Sequence, residues 1–567
     1  MIPRLATRGK LILATALLFM IVGALHGAPP LVALAGMVLA ALLALYLAFY
    51  PTAILLRRKK IELSWWVPPG DQPGGALAAD RPFQLHLAFR NHGSRKLRIL
   101  STNILAASSL QLDARPSATV KRGQQVEVTT KVLPLAAGYH VLHGAALTFG
   151  DVLGLFDIEA FFPNPIAIKV FPRSIALRGQ PVRAIGGALH EQVGLHHVRR
   201  RGLSGELREI REHSHGDPFK FIAWKATARR GQLMVRDLEN EIVTNHMVLL
   251  DAGAGMRAGP RGRTPLDWAG DSVAALCKAA VANGDRIGVV GYDTRVLVDI
   301  KPDTGHHHYL QVVDRLLDTR SVCDADLTDV TAGELVALVA RYLAHQEAID
   351  VRVKTAPALD DPRWSSIQAG PDGQLYDVAA TGRLCKRLIE VMAGRDALGT
   401  ANAGRVKVGM PIVEDDAQLQ PLRQFCRLRG IELPYRATWD HGKRTTGFGA
   451  AVERAVFAQR PDVAVVIAEL GGLAEDEPRA IRAIARLRRS AGSVIVLVPS
   501  PEAFLPAVAT AEGRRVRELM IRDHRVAMAD GRKLLTRHGV TVLEASPSDS
   551  LDRLLGRARV TPRVAMR

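Results

Sequence analysis

From Leu11 to Tyr50 the chain contains no Asp, Glu, Lys or Arg, and an uncharged run of that length restricts the fold more than any other feature. The segment His26–Pro30, "HGAPP", divides it into two apolar pieces. The second, Leu31–Tyr50, has twenty residues. As a helix it measures about 30 Å, the thickness of a bilayer core. The first, from Leu11 to about Ala28, lies near the short end of the spanning range. Arg4, Arg8 and Lys10 precede the pair, and Arg57, Arg58, Lys59 and Lys60 follow it. Positive charge on both flanks predicts a transmembrane hairpin over residues 1–60 with both ends in the cytoplasm. A signal peptide cleaved near "GALHGA" is the competing reading. It would leave the second span in place and put the rest of the chain outside, against the charge of "RRKK".

A chain of 567 residues holds more than one domain. Its net charge of +19 suits anionic partners: lipid headgroups, nucleic acid or an acidic protein. An Arg-rich composition that only decorates solvated faces gives the same total. Cys277, Cys323, Cys385 and Cys426 stand far apart with no CxxC or Cys/His ligand spacing. They read as small core residues of a protein in a reducing compartment.

Residues 61–173 read as β-structure. In "PFQLHLAFRN", Phe83, Leu85, Leu87 and Phe89 alternate with Gln84, His86 and Arg90. "QQVEVTTKVLPL", "YHVLHGAALTFG" and "IAIKVFP" repeat the theme between turn-forming stretches. Short strands joined by turns predict a small all-β, Ig-like sandwich. No residue in it has the look of a catalytic group.

Residues 174–245 form a linker and a basic, glycine-punctuated segment. Between Arg199 and Arg236 there are ten Lys/Arg against four Asp/Glu. "SHGDP" is a turn, and "FKFIAWKATARRG" predicts a helix with Phe219, Ile222, Ala223 and Ala226 on one face, stopped at Gly231. Lys225, Arg229 and Arg230 then share the solvent side. Arg211, Glu212, Gly216, Asp217, Ile222, Trp224, Lys225, Ala228, Arg229, Gly231, Leu233, Val235 and Arg236 fall at the spacing of the signature of the bacterial family called domain of unknown function 58 (DUF58), which the segment resembles. It departs from that signature at His213, His215, Lys220 and Ala223. The basic helix can act as a protein-docking surface, or as a structural clasp in which Trp224 packs on a sheet and the Arg residues pair with Glu206, Glu209 and Glu212. Phosphate binding is the third reading, and a single tryptophan makes a poor stacking platform.

Residues 246–567 alternate apolar strands with helical patterns. "HMVLLD", "DRIGVVGYD", "DVAVVIAEL", "GSVIVLVP" and "GVTVLEA" predict a mostly parallel sheet covered on both faces, a Rossmann-type α/β domain. Ligands of such sheets sit at the carboxyl ends of the strands, where Asp251 falls. The arrangement resembles a von Willebrand factor A domain, as the DUF58 resemblance also implies. In that fold Asp-x-Ser-x-Ser holds a divalent cation, and oxygen ligands suit Mg²⁺. Here the run is Asp251-Ala252-Gly253-Ala254-Gly255, without hydroxyls, and the later acidic position is Glu469. Asp251 and Glu469 are therefore candidate ligands of a degenerate site, expected to lack a cofactor. A mainly helical insertion is expected at about 330–461.

Other tempting groups read as structural. His306, His307 and His308 mark a loop-to-helix boundary, and no known ligand spacing surrounds them. His213 and His215 flank a serine, but spacing supplies neither an orienting carboxylate nor an oxyanion site. The chain has no GxxxxGK[ST], no GxGxxG after a strand and no GxSxG. The expectation is a non-enzymatic membrane protein of the bacterial inner membrane, with cytoplasmic soluble domains and protein partners. The family resemblance implies work beside a MoxR-type AAA+ ATPase in assembly or maturation of envelope complexes. A metal-dependent hydrolase using Asp251 and Glu469, or an anionic-lipid or nucleic-acid binder using residues 199–236, are the alternatives.

Overall fold

The structure is a computed structural model that describes residues 2–173, 201–393, 412–436, 443–549 and 554. Internal exceptions are 58–59, 68–76, 108, 114–115, 216, 240–244, 261, 283, 321, 348, 356, 359, 459–460 and 472–475. Contacts divide the chain into two compact units. One comprises Met1–Gly179, Pro260–Arg263 and Leu317–Trp439; the other comprises Gln180–Gly259, Thr264–Leu316 and Asp440–Arg567.

The first unit begins with the apolar run, which forms α1 (Thr7–Leu25) and α2 (Pro29–Arg57). Both are long and apolar enough to cross a membrane. Leu11, Leu18, Ile21, Leu25, Met37, Leu43 and Leu47 are exposed along them. Leu5, Ile12, Leu13, Val38, Leu45, Tyr46 and Phe49 pack around Leu42, Leu155 and Phe156. That contact fastens the helix pair to the β-region that follows. An Arg4–Leu5 strand adds to it by pairing with Phe156–Asp157.

The β-region contains two sheets, antiparallel apart from a short parallel pairing of Val170–Phe171 with Leu77–Ala78. One joins β1 (Ile61–Trp66), β2 (Phe83–Asn91), β6 (Gln125–Pro134) and β4 (Leu110–Leu112), in that order. The other is built on β8 (Phe156–Phe171), β7 (Gly138–Gly150), β3 (Leu97–Ala106) and β5 (Ala118–Val120). The alternation read in β2 is physical: Phe83, Leu85, Leu87 and Phe89 are all buried.

Residues 317–439 belong to this first unit, whereas the sequence placed an insertion at about 330–461 within the α/β domain. Their helices are α6 (Ala332–Gln346), α7 (Val378–Ala393) and α8 (Gln420–Arg429). The Thr331 hydroxyl and the Glu334 carboxylate form a capping box at the start of α6. Leu335, Val339, Leu343, Cys385, Leu422, Phe425 and Cys426 share the helical core. Within it the fully buried Arg429 lies 2.7 Å from Glu347 and over the Phe425 ring. Removing either charge would strand the other without water. The link to the β-region is polar. The Tyr342 hydroxyl is 2.5 Å from Nδ1 of His143 on β7, and Arg320 donates to the Ala137 carbonyl at 2.6 Å. Helical periodicity announces that a face is buried, but carries no information about which neighbour buries it.

In the second unit a six-stranded sheet runs in the order β13 (Val296–Asp303), β12 (Arg286–Tyr292), β11 (Asn245–Asp251), β14 (Val463–Ile467), β15 (Ser493–Pro499), β16 (Thr541–Ala545). All adjacent pairs are parallel except β12 with β13. Residues of β11, β12, β14 and β15 are buried almost throughout, as a sheet covered on both faces requires. The covering helices include α4 (Pro265–Ala282), α5 (His306–Asp318), α9 (Lys443–Ala458), α10 (Glu477–Ser490) and α11 (Ala511–Arg537). His306 opens α5, and His308 contacts the Ile287 carbonyl at 2.6 Å, so the histidine run is a helix start. All four cysteines are free and buried. Burial pushes the thiols of Cys277, Cys323 and Cys385 up to about 12, which keeps them protonated and unreactive.

Burial, aided by Arg429, lowers the His143 value from 6.5 to about 4. A neutral ring in the fold that would take a proton when unfolded contributes stability above about 6.5, and that contribution is lost as pH falls toward 4. In thermal melts, the wild type should therefore lose stability over this acid window more steeply than His143→Gln. The excess loss should reach at most about 3 kcal/mol. Parallel pH profiles would assign the link elsewhere.

Candidate functional site

Two places in the second unit gather the residues singled out by sequence. The first lies at the carboxyl ends of β11 and β14, between which the strand order reverses. Such a switch point leaves a crevice beyond the strand ends. Asp251 ends β11, Asp293 follows β12 and Glu469 follows β14. The structure thus brings Asp251 and Glu469 together: the Glu469 amide donates to Asp251 Oδ2 at 3.4 Å, and the Gly253 amide donates to Oδ1 at 2.8 Å.

Two further groups complete the cluster, and neither was singled out by sequence. Arg444, in the first turn of α9, places Nη1 3.3 Å from one Glu469 oxygen. His524, on α11, places Nδ1 3.1 Å from the other. Asp293 also follows an apolar strand, "RIGVVGY", and that pattern could have marked it. Arg444 and His524 carry no local signal, since each sits on a helix brought in by distant chain. Burial pushes the Asp251 carboxyl up to about 7; Arg444 and the Gly253 N–H oppose this, while Glu469 and Asp293 reinforce it.

The glycines of this loop have a specific role. A Cβ built on Gly255 would stand 1.6 Å from Glu469 Oε2, and one on Gly253 would stand 3.0 Å from Asp251 Oδ1. Gly255 is small so that the Glu469 carboxylate can lie over the loop. This geometry does not fit the Mg²⁺ that the resemblance implies. The positions of the two hydroxyls are bare, the space above Gly255 is filled by Glu469, and Glu469 is already engaged by a guanidinium and an imidazole. Among the described residues, no group of three His, Cys, Asp or Glu side chains is placed to hold a metal.

The second place is the basic segment. β9 (Arg201–Glu212) and β10 (Met234–Glu239) pair as a two-stranded antiparallel sheet. Between them come a short 3₁₀ turn, Phe219–Phe221, and α3 (Trp224–Arg230). Arg211 makes two hydrogen bonds to Asp217, at 2.7 and 2.8 Å, and the Ser214 amide makes a third at 2.8 Å. This pairing holds the Asp217 carboxyl well below the usual carboxylate range and staples the turn. Gly216 lies outside the described residues. Ile222, Ala223, Met234 and Val235 form the buried face, and Gly231 closes α3 in the left-handed conformation with φ 69°.

The outer face departs from expectation. Phe219 was placed on the buried side of a helix, yet it precedes the helix and is 75% exposed. Trp224, read in the clasp alternative as packed on a sheet, is 66% exposed. The helix is about one turn shorter than its apolar pattern suggested, because β10 holds the two residues before it: extended Ile222 bridges Val235, and the Ala223 amide donates to the Met234 carbonyl. Trp224 therefore starts α3 and faces water. Glu212, Lys225, Arg229, Arg230 and Arg236 are also exposed. The side chains of Glu206 and Glu209 lie outside the described residues.

The sequence profile of a family described as "Protein of unknown function DUF58" matches residues 209–341. "Uncharacterized protein YeaD" of Bacillus subtilis (strain 168) is 31% identical over 120 residues, which cover 20% of this chain and 28% of that protein. The chain thus matches less than a third of that relative's length. Among solved structures, native alpha-2-macroglobulin from Escherichia coli is 16% identical over 20% of this chain and 16% of that one, with a TM-score of 0.16. A FixG-related protein from Vibrio parahaemolyticus is 10% identical over 19% of this chain and 97% of that one, with a TM-score of 0.13. Likenesses this slight carry no argument about fold or function.

The packing over Gly255 gives a direct expectation. Gly255→Ala should displace Glu469 from Arg444 and His524 and cost about 1–3 kcal/mol in denaturant unfolding. Gly449→Ala, in α9 with nothing within 4 Å of its Cβ position, should be neutral or stabilising by up to about 1 kcal/mol. Equal effects at the two positions would contradict the assigned contact.

Proposed function

We propose that this chain is a non-enzymatic, membrane-anchored adaptor that binds a partner protein through the outer face of its basic segment. The observation that carries the reading is the exposure of Trp224 on a short helix whose neighbouring side chains Lys225, Arg229 and Arg230 are also in water. A tryptophan in water forgoes a large apolar burial. Trp and Arg are also the residue types most enriched at the energetic centres of protein interfaces. Phe219 and Leu233, both exposed, enlarge the apolar part of the surface. The inner residues Arg211 and Asp217 serve this face by fixing the turn beneath it.

The resemblance to DUF58 supplies the kind of partner: a MoxR-type AAA+ ATPase, acting with this chain on envelope protein complexes. The apolar pair α1 and α2 supports attachment to the bacterial inner membrane, and the basic flanks support cytoplasmic soluble domains. A hydrolase using Asp251 and Glu469 is disfavoured because both carboxylates lie within the Arg444 cluster. Binding of nucleic acid or anionic lipid by residues 199–236 would be dominated by phosphate contacts and fall steeply with salt.

The test uses full-length protein in lipid nanodiscs and the purified ATPase. Trp224→Ala, and the charge reversal Arg229→Glu with Arg230→Glu, should each weaken binding by about tenfold or more with the melting temperature unchanged. Wild-type affinity in both variants would place the docking surface elsewhere.

A further inference from the structure

We infer that the loop joining β7 to β8, residues 151–155, enters the boundary between the headgroups and acyl chains of a phospholipid bilayer through Val152 and Leu153, a placement that rests on the membrane-anchored reading of α1 and α2. The loop belongs to the same compact unit as the helix pair and is tied to it directly. The Ala6 amide donates to the Leu155 carbonyl at 2.9 Å, and Arg4 and Leu5 pair with Asp157 and Phe156 just beyond the loop. A side chain at Gly9 would collide with the same carbonyl, so glycine there lets the start of α1 and the loop meet backbone to backbone. The uncharged run begins two residues later, at Leu11. On α2, Tyr46 meets Phe156 edge to face at 5.7 Å, and Leu42 lies in the same apolar cluster as Leu155. Leu42 is eight residues, or about 12 Å of helix, inside the end of the run at Tyr50. Both helices thus hold the loop at the level where a spanning pair passes from headgroups into hydrocarbon.

Hydrogen bonds fix the shape of the loop and leave its apolar tip in the open. The Asp151 carboxylate accepts from the amides of Leu153, Leu155 and Phe156 at 3.3, 2.7 and 3.1 Å, and Arg98 donates to the Val152 carbonyl at 3.2 Å. Gly154, with φ 71°, supplies the left-handed residue that the turn needs. In this frame Leu155 and Phe156 point into the cluster with the helices, whereas Val152 is 88% exposed and Leu153 is 55% exposed. The chain around them is basic: Arg4, Arg8, Lys10 and Arg98 are all exposed. Apolar side chains ringed by cations, at the foot of a membrane helix, match a bilayer surface. The apolar pair takes the acyl boundary and the cations take the lipid phosphates.

The experiment uses the full-length protein in nanodiscs of phosphatidylethanolamine and phosphatidylglycerol, with a nitroxide on a cysteine introduced at one position at a time. The four native cysteines are buried, so the label goes to the introduced thiol. Collision with oxygen, which partitions into the bilayer, and with a water-soluble nickel chelate gives the depth of each label. Val152→Cys and Leu153→Cys should each report oxygen-rich, nickel-poor surroundings about 5–10 Å into the headgroup–acyl boundary. Ile21→Cys, exposed on α1 within the uncharged run, should lie deeper, and Arg122→Cys, exposed in the turn before β6, should lie in water. Labels at 152 and 153 as open to nickel as that at 122, with the label at 21 in hydrocarbon, would overturn the placement of the loop and leave the anchor standing. A label at 21 open to nickel would overturn both. Labels at 152 and 153 shielded from oxygen and nickel alike would assign the loop to a protein contact and overturn its placement in lipid.

Discussion

A carboxylate buried at the end of a central parallel strand is a standing electrostatic cost, and the second unit is arranged around meeting it. Asp251 is only 6% exposed and has two further carboxyl groups beside it. A guanidinium from α9 and an imidazole from α11 converge on the same crevice, while the glycines of the loop after β11 make space. The effect is to pair the Glu469 carboxylate at the switch point of the sheet with Arg444 and His524. Where many α/β sheets leave a ligand crevice, this one has an ion cluster that joins strand ends to helices. Such a cluster fixes register and helix position rather than adding large net stability, since desolvation offsets most of its attraction.

The basic segment, by contrast, carries exposed chemistry. Its side chains divide cleanly. Arg211, Asp217, Ile222, Ala223, Met234 and Val235 build the turn and its inner face, whereas Trp224, Lys225, Arg229, Arg230 and Arg236 point to water. A two-stranded sheet is a small scaffold. Trp224 gains little burial on it within the described residues, and that exposure is what the proposed docking role rests on.

Periodicity made much of the architecture legible. Alternation gave the strands of the β-region, and short apolar runs gave the parallel sheet with Asp251 at a strand end. The uncharged run gave the helix pair. What stayed hidden depended on distant chain. The helices of residues 317–439 showed their apolar faces, but the contact between Tyr342 and His143 joins positions 199 apart, so their grouping with residues 1–179 had no local trace. Arg444 and His524 were silent for the same reason. Trp224 differs: the sequence left it open between a docking surface and a clasp packed on a sheet, and the tie of Ile222 and Ala223 to β10 starts the helix at Trp224, which lies in water.

The central claim, docking of a protein partner at Trp224, is tested most directly by installing a photoactivatable phenylalanine at position 224 and irradiating native membranes. The control places the same group at position 457, where Phe457 is 75% exposed on α9. The account predicts a discrete adduct with an AAA+ ATPase from position 224 and none from position 457. Adducts with lipid or nucleic acid alone, or the same protein adducts from both positions, would contradict it.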